Sequence, residues 1–588
     1  MRTQVTGGRP LRGFLAAAAS TVLALTCTPA VAATRSGDAA IPYGHAAIPY
    51  GHAAARAGAV RPGDGAARAE KDPLGFGPVR IAPRPGDARL GDARLGGLPL
   101  GALPLGGLPL GGSRLAERGP ERAAEGARRR AAGSHRVVRL APGVLLGRIG
   151  GGSPPAADVY TVVLHFDGRG RLFGREDAAD HLVGQLARHG VPAIREDVVV
   201  PRLRPGGPRR VLGQTVRVGR FAGRAEAGRE AARLERLRWI DEDGTPRGGF
   251  PVSVVETSTL GRWTPGPWRV RYLRVDPRHA VVRTTSGRTL ADAETVREMA
   301  PMATAAINGG FFRIGTDTPG DPAGVYVQEG RLLSETRDGS DPALVITGGR
   351  ARVTDLTTRQ RVSAGRAWRA ITGVNRANDG DDLILFTPEY GARLPRVDGV
   401  EAELAEDGTV LSVRERESGS APGDPPERGS VLQGTGRAAA WLRAHAQLGR
   451  RLRVSTLIID QRTGRAIRPD YATAGNVAIL RRGEVRISPR DLGRKGTFTQ
   501  IVRRHPRTLA GVDARGNLLL AAVDGRSPRW SAGMTLPEAA RLMRGLGARE
   551  AINLDGGGST TLTARGEIVN RPAAPAGGRP VSDAVTVN

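Results

Sequence analysis

The stretch LLLAAVDGRSPRWSAGMTLPEAARLMRGLGAREAINLDGGGST, residues 518–560, decides how this chain folds. It opens with six apolar residues in a row, Leu518–Val523, with no polar alternation. Such a run reads as a strand. The run ends in Asp524-Gly525-Arg526. Thr535 and Glu538 then form a capping box, and Pro537 stands in the first helical turn, where its missing N–H costs nothing. Leu536, Ala539, Ala540, Met543 and Leu546 recur at helical spacing on one side, and Gly545 and Gly547 stop the helix. A second strand, Ala551–Leu554, ends in Asp555-Gly556-Gly557-Gly558-Ser559-Thr560. A strand–helix–strand crossover of this length makes the two strands parallel. Asp524 and Asp555 are therefore expected at the same sheet edge.

The same punctuation recurs upstream. Leu290–Ala300 reads as a helix stopped by Pro301, and Ala303–Ile307 as a strand leading into Asn308-Gly309-Gly310. In all three places a polar side chain follows an apolar strand and precedes glycine. Asp-Gly after a strand is also the commonest turn signal. The threefold recurrence, ending in three glycines and Ser-Thr, points to a site, with glycines letting a substrate approach the backbone. The expected fold class is mixed α+β or α/β, a sheet-based catalytic domain with helices over residues 251–588.

Three zones precede that domain. Arg2, Arg9 and Arg12, the apolar Phe14–Leu25 and Ala30-Val31-Ala32 have the pattern of an export signal over residues 1–32. The apolar run is too short to span a membrane. The single cysteine, Cys27, would leave with it, so the expected mature chain has no integral membrane segment, no disulfide and no cysteine nucleophile. Residues 33–135 read as a disordered linker. AIPYGHA occurs there twice in tandem, GDARL twice, and GLPLG-like pentapeptides follow, with Pro or Gly every few residues. Residues 136–250 read as a small α+β domain. Its expected strands are Val159–Phe166, Val198–Val200 and Val211–Val218, and its helices Asp177–His189 and Ala225–Arg238. Within it VRVGRFAGRAEAGREAARLERL, Val216–Leu237, resembles the SPOR-like repeat, which implies peptidoglycan binding.

Composition removes several function classes. The formal net charge is +29, which invites a nucleic-acid reading. The basic residues are almost all Arg, with only Lys71 and Lys495 as lysines, and no basic stripe is interleaved with aromatics. A solvated arginine-rich surface is the better account, and no nucleic-acid partner is expected. The glycine run is not a P-loop, because no Gly-Lys-Ser/Thr follows it. No His-Glu-x-x-His occurs, and His165, His181, His189 and His279 stand alone. Asp317 and Asp321 are candidate ligands for a divalent cation, with a turn the commoner reading of Asp beside Gly and Pro. No other cofactor is expected.

AINGGFF (Ala306–Phe312), ITGVNRA (Ile371–Ala377), LILFTPEYG (Leu383–Gly391), HPRTLAGVD (His505–Asp513), LLLAAVDGR (Leu518–Arg526), SAGMTLPEAARLMRGLGA (Ser531–Ala548), INLDGGGSTTL (Ile552–Leu562) and RPVSDAV (Arg579–Val585) together resemble the phosphodiester glycosidase family. The resemblance spans roughly 260–588 and is densest after 505. Two features depart from the family pattern: Ala474-Gly475-Asn476 stands where Gly-Gly-Pro is usual, and a Pro- and Gly-rich loop runs from Glu415 to Arg428. The resemblance implies cleavage of a sugar-1-phosphodiester at the anomeric carbon, giving free sugar and a phosphomonoester. Asp555, Asp524 and Arg507 are its catalytic candidates, with the roles of base and of nucleophile or orienter divided between the two carboxylates. Arg507, Thr508, Ser559 and Arg579 are candidates for the phosphate and Asn308 for a sugar hydroxyl. Gly309, Arg526, Gly556, Gly557 and Thr560 complete the substrate-binding set. The alternative reading is a non-catalytic cell-wall binding protein whose active part is the SPOR-like region.

Overall fold

A computed structural model describes residues 134–588 except 153–159, 167–171, 201–209, 258–265, 315–319, 338, 379, 488–499, 501–502 and 575–576. The expected export signal and the 33–135 linker lie outside the described residues, apart from Ser134 and His135, which open a strand. The central element is an eight-stranded sheet. Its strands run in the order Ser134–Ala141, Val144–Gly151, Trp268–Val275, Leu518–Val523, Arg507–Asp513, Ala548–Asn553, Val477–Arg481 and Glu484–Val485. Leu518–Val523 and Ala548–Asn553 both run antiparallel to Arg507–Asp513, which lies between them. They are thus parallel to each other, as the crossover length requires, with one strand interposed.

The apolar run Leu518–Val523 is buried throughout, and alternation divides it between two cores. Leu519, Ala521 and Val523 face the helix Leu536–Gly545, whose Leu536, Ala539, Ala540, Leu542 and Met543 pack against them. Leu518, Leu520 and Ala522 face the opposite way. There a five-stranded sheet supplies Val282, Ala305, Ile307, Leu562, Val585 and Val587. Both faces are covered, so the strand needs no polar alternation. Truncating Met543 to Ala would cost about 2–5 kcal/mol. The capping box is formed: Glu538 N–H donates to Thr535 Oγ1 at 3.4 Å, and Thr535 N–H to Glu538 Oε2 at 2.9 Å. A second eight-stranded sheet and another five-stranded sheet enclose a separate core around Val362, Val400, Leu432 and Leu442.

Sheet outweighs helix more than the sequence suggests. Among the described residues only Glu176–Ala187, Arg224–Leu234, Gly436–His445 and Leu536–Gly545 exceed one helical turn. The helix expected over Leu290–Ala300 shrinks to Val296–Met299. Its N-terminus is fixed by a capping box of Thr295 and Glu298, while Leu290 and Ala291 donate their N–H groups to Glu389 and Tyr390 carbonyls instead.

The small α+β unit also starts later than residue 136. The hairpin Ser134–Gly151 belongs to the central sheet, where Val144–Gly151 pairs with Trp268–Val275. The unit itself contains strands Tyr160–Leu164, Ala193–Val200, Arg210–Phe221 and Val252–Glu256 and helices Glu176–Ala187 and Arg224–Leu234. The strand order, second-third-first-fourth and antiparallel throughout, is that of a split β-α-β arrangement. Val162, Leu164, Leu182, Leu186, Val216, Val218 and Leu234 form its core. It is inserted between Gly151 and Trp268, which face each other across two paired strands. His165, His181 and His189 are structural: they bond Ser253 Oγ, the Ile240 carbonyl and the Arg238 carbonyl.

Candidate active site

Two turns meet at one edge of the central sheet. Asp524-Gly525-Arg526 leaves one strand and Asp555–Ser559 follows another, and His505-Pro506 enters the strand between them. Pro506 is the wedge. A Cβ on Gly525 would lie 2.6 Å from Pro506 N, and one on Gly556 would lie 2.7 Å from its carbonyl oxygen. Both Asp-Gly pairs therefore need glycine for backbone packing, before any substrate is considered. Above this floor the guanidinium of Arg526 lies over Gly557, and that of Arg579 over Gly558. Arg526 reaches there from a left-handed backbone, φ +57°.

Asp555 is partly open to solvent and borders this cradle. Burial pushes its carboxyl up to about 6. The charge of Asp583 adds to the rise, while the Ser559 hydroxyl, Arg579 and the Gly556 N–H pull against it. Arg579 Nη1 lies 3.4 Å from Ser559 Oγ. Asp583, which the sequence reading did not single out, is the second carboxylate here. It is buried and accepts from Thr473 Oγ1 at 2.8 Å and from Gly310 N–H at 2.9 Å. Burial lifts it to about 6 as well. It also explains Asn308-Gly309-Gly310, because a Cβ on Gly309 would fall 1.9 Å from Asp583 Oδ1. Its signal in the sequence was present: Ser582-Asp583 follows Arg579-Pro580 and precedes the apolar strand Ala584–Val587.

Other expected site residues are brought to this edge but lie beneath it. Asn308 is fully buried. Its Nδ2 donates to the Asp555 carbonyl at 2.8 Å, and its Oδ1 accepts from Thr508 Oγ1 at 2.7 Å and from Thr561 N–H at 3.2 Å. Thr508 Oγ1 lies 3.3 Å from Thr560 Oγ1. These three side chains bolt the strand ends together, and Asn308, fully buried, is held away from the open edge where a sugar hydroxyl would lie. Asp524 differs from expectation too. Its Oδ1 accepts from Arg571 N–H at 2.9 Å and Asn570 Nδ2 at 3.1 Å, which ties it to the 570–571 loop. Burial raises its pKa, against the pull of those bonds, of Trp530 and of Arg271. Beside it, Trp530 carries the guanidiniums of Arg269 and Arg571 at 5.1 and 5.8 Å from its ring centroid.

Arg507 departs furthest from its expected role. It is buried, and it donates from Nε to the Met534 carbonyl at 2.8 Å and from Nη2 to the carbonyls of Gln500 and Arg503. Burial lowers its pKa to about 9. A guanidinium spent on backbone carbonyls is a structural cation, not a phosphate fork. Next to it, Arg504 and Glu538 form a buried ion pair at 2.7 Å that anchors this segment to the helix cap. His505 is half-buried beside Arg507, Arg503 and Arg526, and its pKa falls well below the ordinary value, first through desolvation. Of the candidate cation ligands, Asp321 is buried against Arg313 Nε at 3.3 Å, and Asp317 lies outside the described residues. Among the described residues no group of three or more His, Cys, Asp or Glu side chains converges on a metal position.

The open groups are thus Asp555, Gly556, Gly557, Arg526 and Arg579, with Asp583 and Ser559 directly behind. A desolvated carboxylate beside two guanidiniums and a bare glycine backbone suits a ligand that carries both a sugar and an anion. Residues 399–588 match the family model described as phosphodiester glycosidase. Among solved structures, the chain is similar to a protein of Burkholderia pseudomallei K96243 whose name marks it as a candidate for export. The identity is 28% and the TM-score 0.62, covering 78% of this chain and 96% of that one. A hypothetical protein from Synechocystis aligns at 16% identity and TM-score 0.48, over 77% of this chain and 79% of that one. The catalytic domain of zebrafish N-acetylglucosamine-1-phosphodiester α-N-acetylglucosaminidase, auto-inhibited by its pro-peptide, aligns at 17% identity and TM-score 0.29. That alignment covers 60% of this chain and 81% of that one. No curated protein matches the chain. Among the described residues no helix is long and apolar enough to cross a membrane.

Proposed function

We propose that this protein is an exported hydrolase that cleaves a sugar-1-phosphodiester at the anomeric carbon, releasing free sugar and a phosphomonoester. The observation that carries the reading is the placement of Asp555 at the open edge of the glycine run, with Arg526 and Arg579 over Gly557 and Gly558. Positive charge develops on the sugar ring in such a reaction, and a carboxylate beside the anomeric carbon stabilises it or activates water. Negative charge gathers on the departing phosphate, where two guanidiniums and the Gly-loop N–H groups receive it. Phosphate leaves as a stable anion, so no strong general acid is needed. Asp583 sits behind Asp555 and, as a like charge, keeps that carboxyl readily protonated below neutral pH. Extracellular or cell-envelope glycans are the natural substrates of this reading, and the export signal over residues 1–32 supports it. The split β-α-β unit, with its SPOR-like helix Arg224–Leu234, would add attachment to peptidoglycan.

The test is turnover of a panel of sugar-1-phosphodiesters by the full chain, with free reducing sugar as readout. Release of reducing sugar that Asp555→Asn abolishes supports the reading. A folded chain that releases none from any member of the panel overturns it.

A further inference from the structure

Three neighbouring strands away from this edge, Arg350–Ala364, Ala367–Ile371 and Arg453–Asp460, present a common face. The register opposes Ser363 to Trp368 on one side and to Arg453 on the other, and Arg361 to Ala370 and Ser455. Directly opposed residues of antiparallel strands share a face, and so do residues two apart. Trp368, Ser363, Arg453, Arg361 and Ser455 therefore project together. Trp368 is 61% exposed, unusually open for so large an apolar ring. The face floors a cleft of about 1000 Å³ whose far wall is the turn 404–408 with Arg451.

The charge of the cleft is one-sided. Arg361, Arg366, Arg451 and Arg453 line it against Glu406 and Asp407. Asp407 is already engaged: its carboxylate accepts from Thr409 N–H at 2.9 Å and from Thr409 Oγ1 at 3.0 Å. An open indole flanked by guanidiniums and serine hydroxyls matches a ligand with alternating sugar rings and anionic groups. The ring stacks, the anions meet the arginine forks, and the hydroxyls bond to serine. A single-stranded nucleic acid needs aromatic platforms for successive bases, and Trp368 is the one aromatic ring lining this cleft.

We infer that this cleft binds an anionic glycan chain through Trp368, Arg361 and Arg453, so that the substrate is a sugar–phosphate polymer and not a small ester. The inference rests on the phosphodiester reading and adds the polymer to it. The test uses the full chain carrying Asp555→Asn, which holds polymer without consuming it. Affinity electrophoresis compares poly(N-acetylglucosamine-1-phosphate), neutral dextran and an oligothymidylate. Trp368→Ala should weaken binding of the sugar–phosphate polymer about tenfold, Trp368→Phe should keep most of it, and Arg361→Glu with Arg453→Glu should weaken it further and flatten its salt dependence. In the otherwise wild-type chain, Trp368→Ala should leave turnover of a small sugar-1-phosphodiester unchanged. Undiminished polymer binding by Trp368→Ala overturns the inference, and so does oligothymidylate bound as tightly as the glycan. If no ester is turned over yet polymer binding still depends on Trp368, the catalytic reading falls and the glycan site stands.

Discussion

Replacing Asp555 by Asn should make the protein more stable and nearly inactive, with the gain in stability dependent on pH. Burial and Asp583 raise the Asp555 carboxyl from its ordinary 3.8 to about 6. That rise of about two units corresponds to about 3 kcal/mol, at 1.36 kcal/mol per unit. The sign follows from proton linkage. Between those two values the folded protein holds a proton that the unfolded chain has released, so stability falls as pH rises from about 4 to about 6. Above 6 the folded state carries the full cost of a desolvated charge; below 4 it carries none. Asn removes the charge, so at pH 7.5 the variant should gain up to about 3 kcal/mol, less whatever its amide loses against the Ser559 hydroxyl and the Gly556 N–H. At pH 4 the gain should vanish. Turnover of a sugar-1-phosphodiester should fall two to three decades, about 3–4 kcal/mol of transition-state stabilisation. The assay pairs melting curves of both proteins at pH 4, 5, 6 and 7.5 with kcat at pH 7.5. Equal melting points at every pH, or near wild-type turnover, would refute the placement of this carboxylate.

Three further outcomes follow from the same geometry. Asp583→Asn should move the acidic limb of the kcat profile to lower pH, because a like charge beside Asp555 is gone, whereas Arg579→Ala should move it to higher pH; the check is kcat against pH for each folded variant. Arg507→Ala should remove a donor from three backbone carbonyls, of which that of Met534 keeps the His505 N–H, lower stability by about 2–4 kcal/mol and spare KM in the protein that remains folded, read by melting and steady-state kinetics. A chain in which a short Gly-Ser link replaces residues 153–265 should melt cooperatively as a monomer, while one that begins at residue 251 should aggregate because the edge of Trp268–Val275 is left uncovered; size-exclusion chromatography separates the two.

The part of the fold that local chemistry dictates was legible in the sequence. The unbroken apolar run Leu518–Val523, the Thr535–Glu538 box and the glycines after Asp555 each impose their structure within a few residues. What escaped depended on long-range pairing. No local pattern says that Arg507–Asp513 slides between two strands that a helix connects, or that Ser134–Gly151 pairs with a strand beyond an entire inserted unit. The site divides the same way. Asp555 announces itself by the three glycines that follow. Asp583 has a weaker local mark, because it precedes a strand with no glycine after it, and its packing against Gly309 and Thr473, distant in sequence, is what sets it in the site. Arg507 misled because an arginine between Pro and Thr looks the same whether its guanidinium meets a ligand or three carbonyls.

The order of strands in the central sheet also sets a timetable for synthesis. Val144, Leu146 and Ile149 emerge from the ribosome early, but their partner strand Trp268–Val275 follows only after the inserted unit. The next strand in the sheet, Leu518–Val523, is made long afterwards, and Ala584–Val587, which pairs with both Val282–Thr285 and Ala305–Asn308, later still. The inserted unit, whose described strands all pair with one another, can fold while the ribosome is still working. The sheets of the larger body cannot: their closing strands do not yet exist. That body therefore folds only after its late strands are made, and contacts of such high sequence separation slow it. Until those strands arrive, the chain carries open sheet edges, and a chaperone holding it in that interval would find them around Val144–Gly151 and Trp268–Val275.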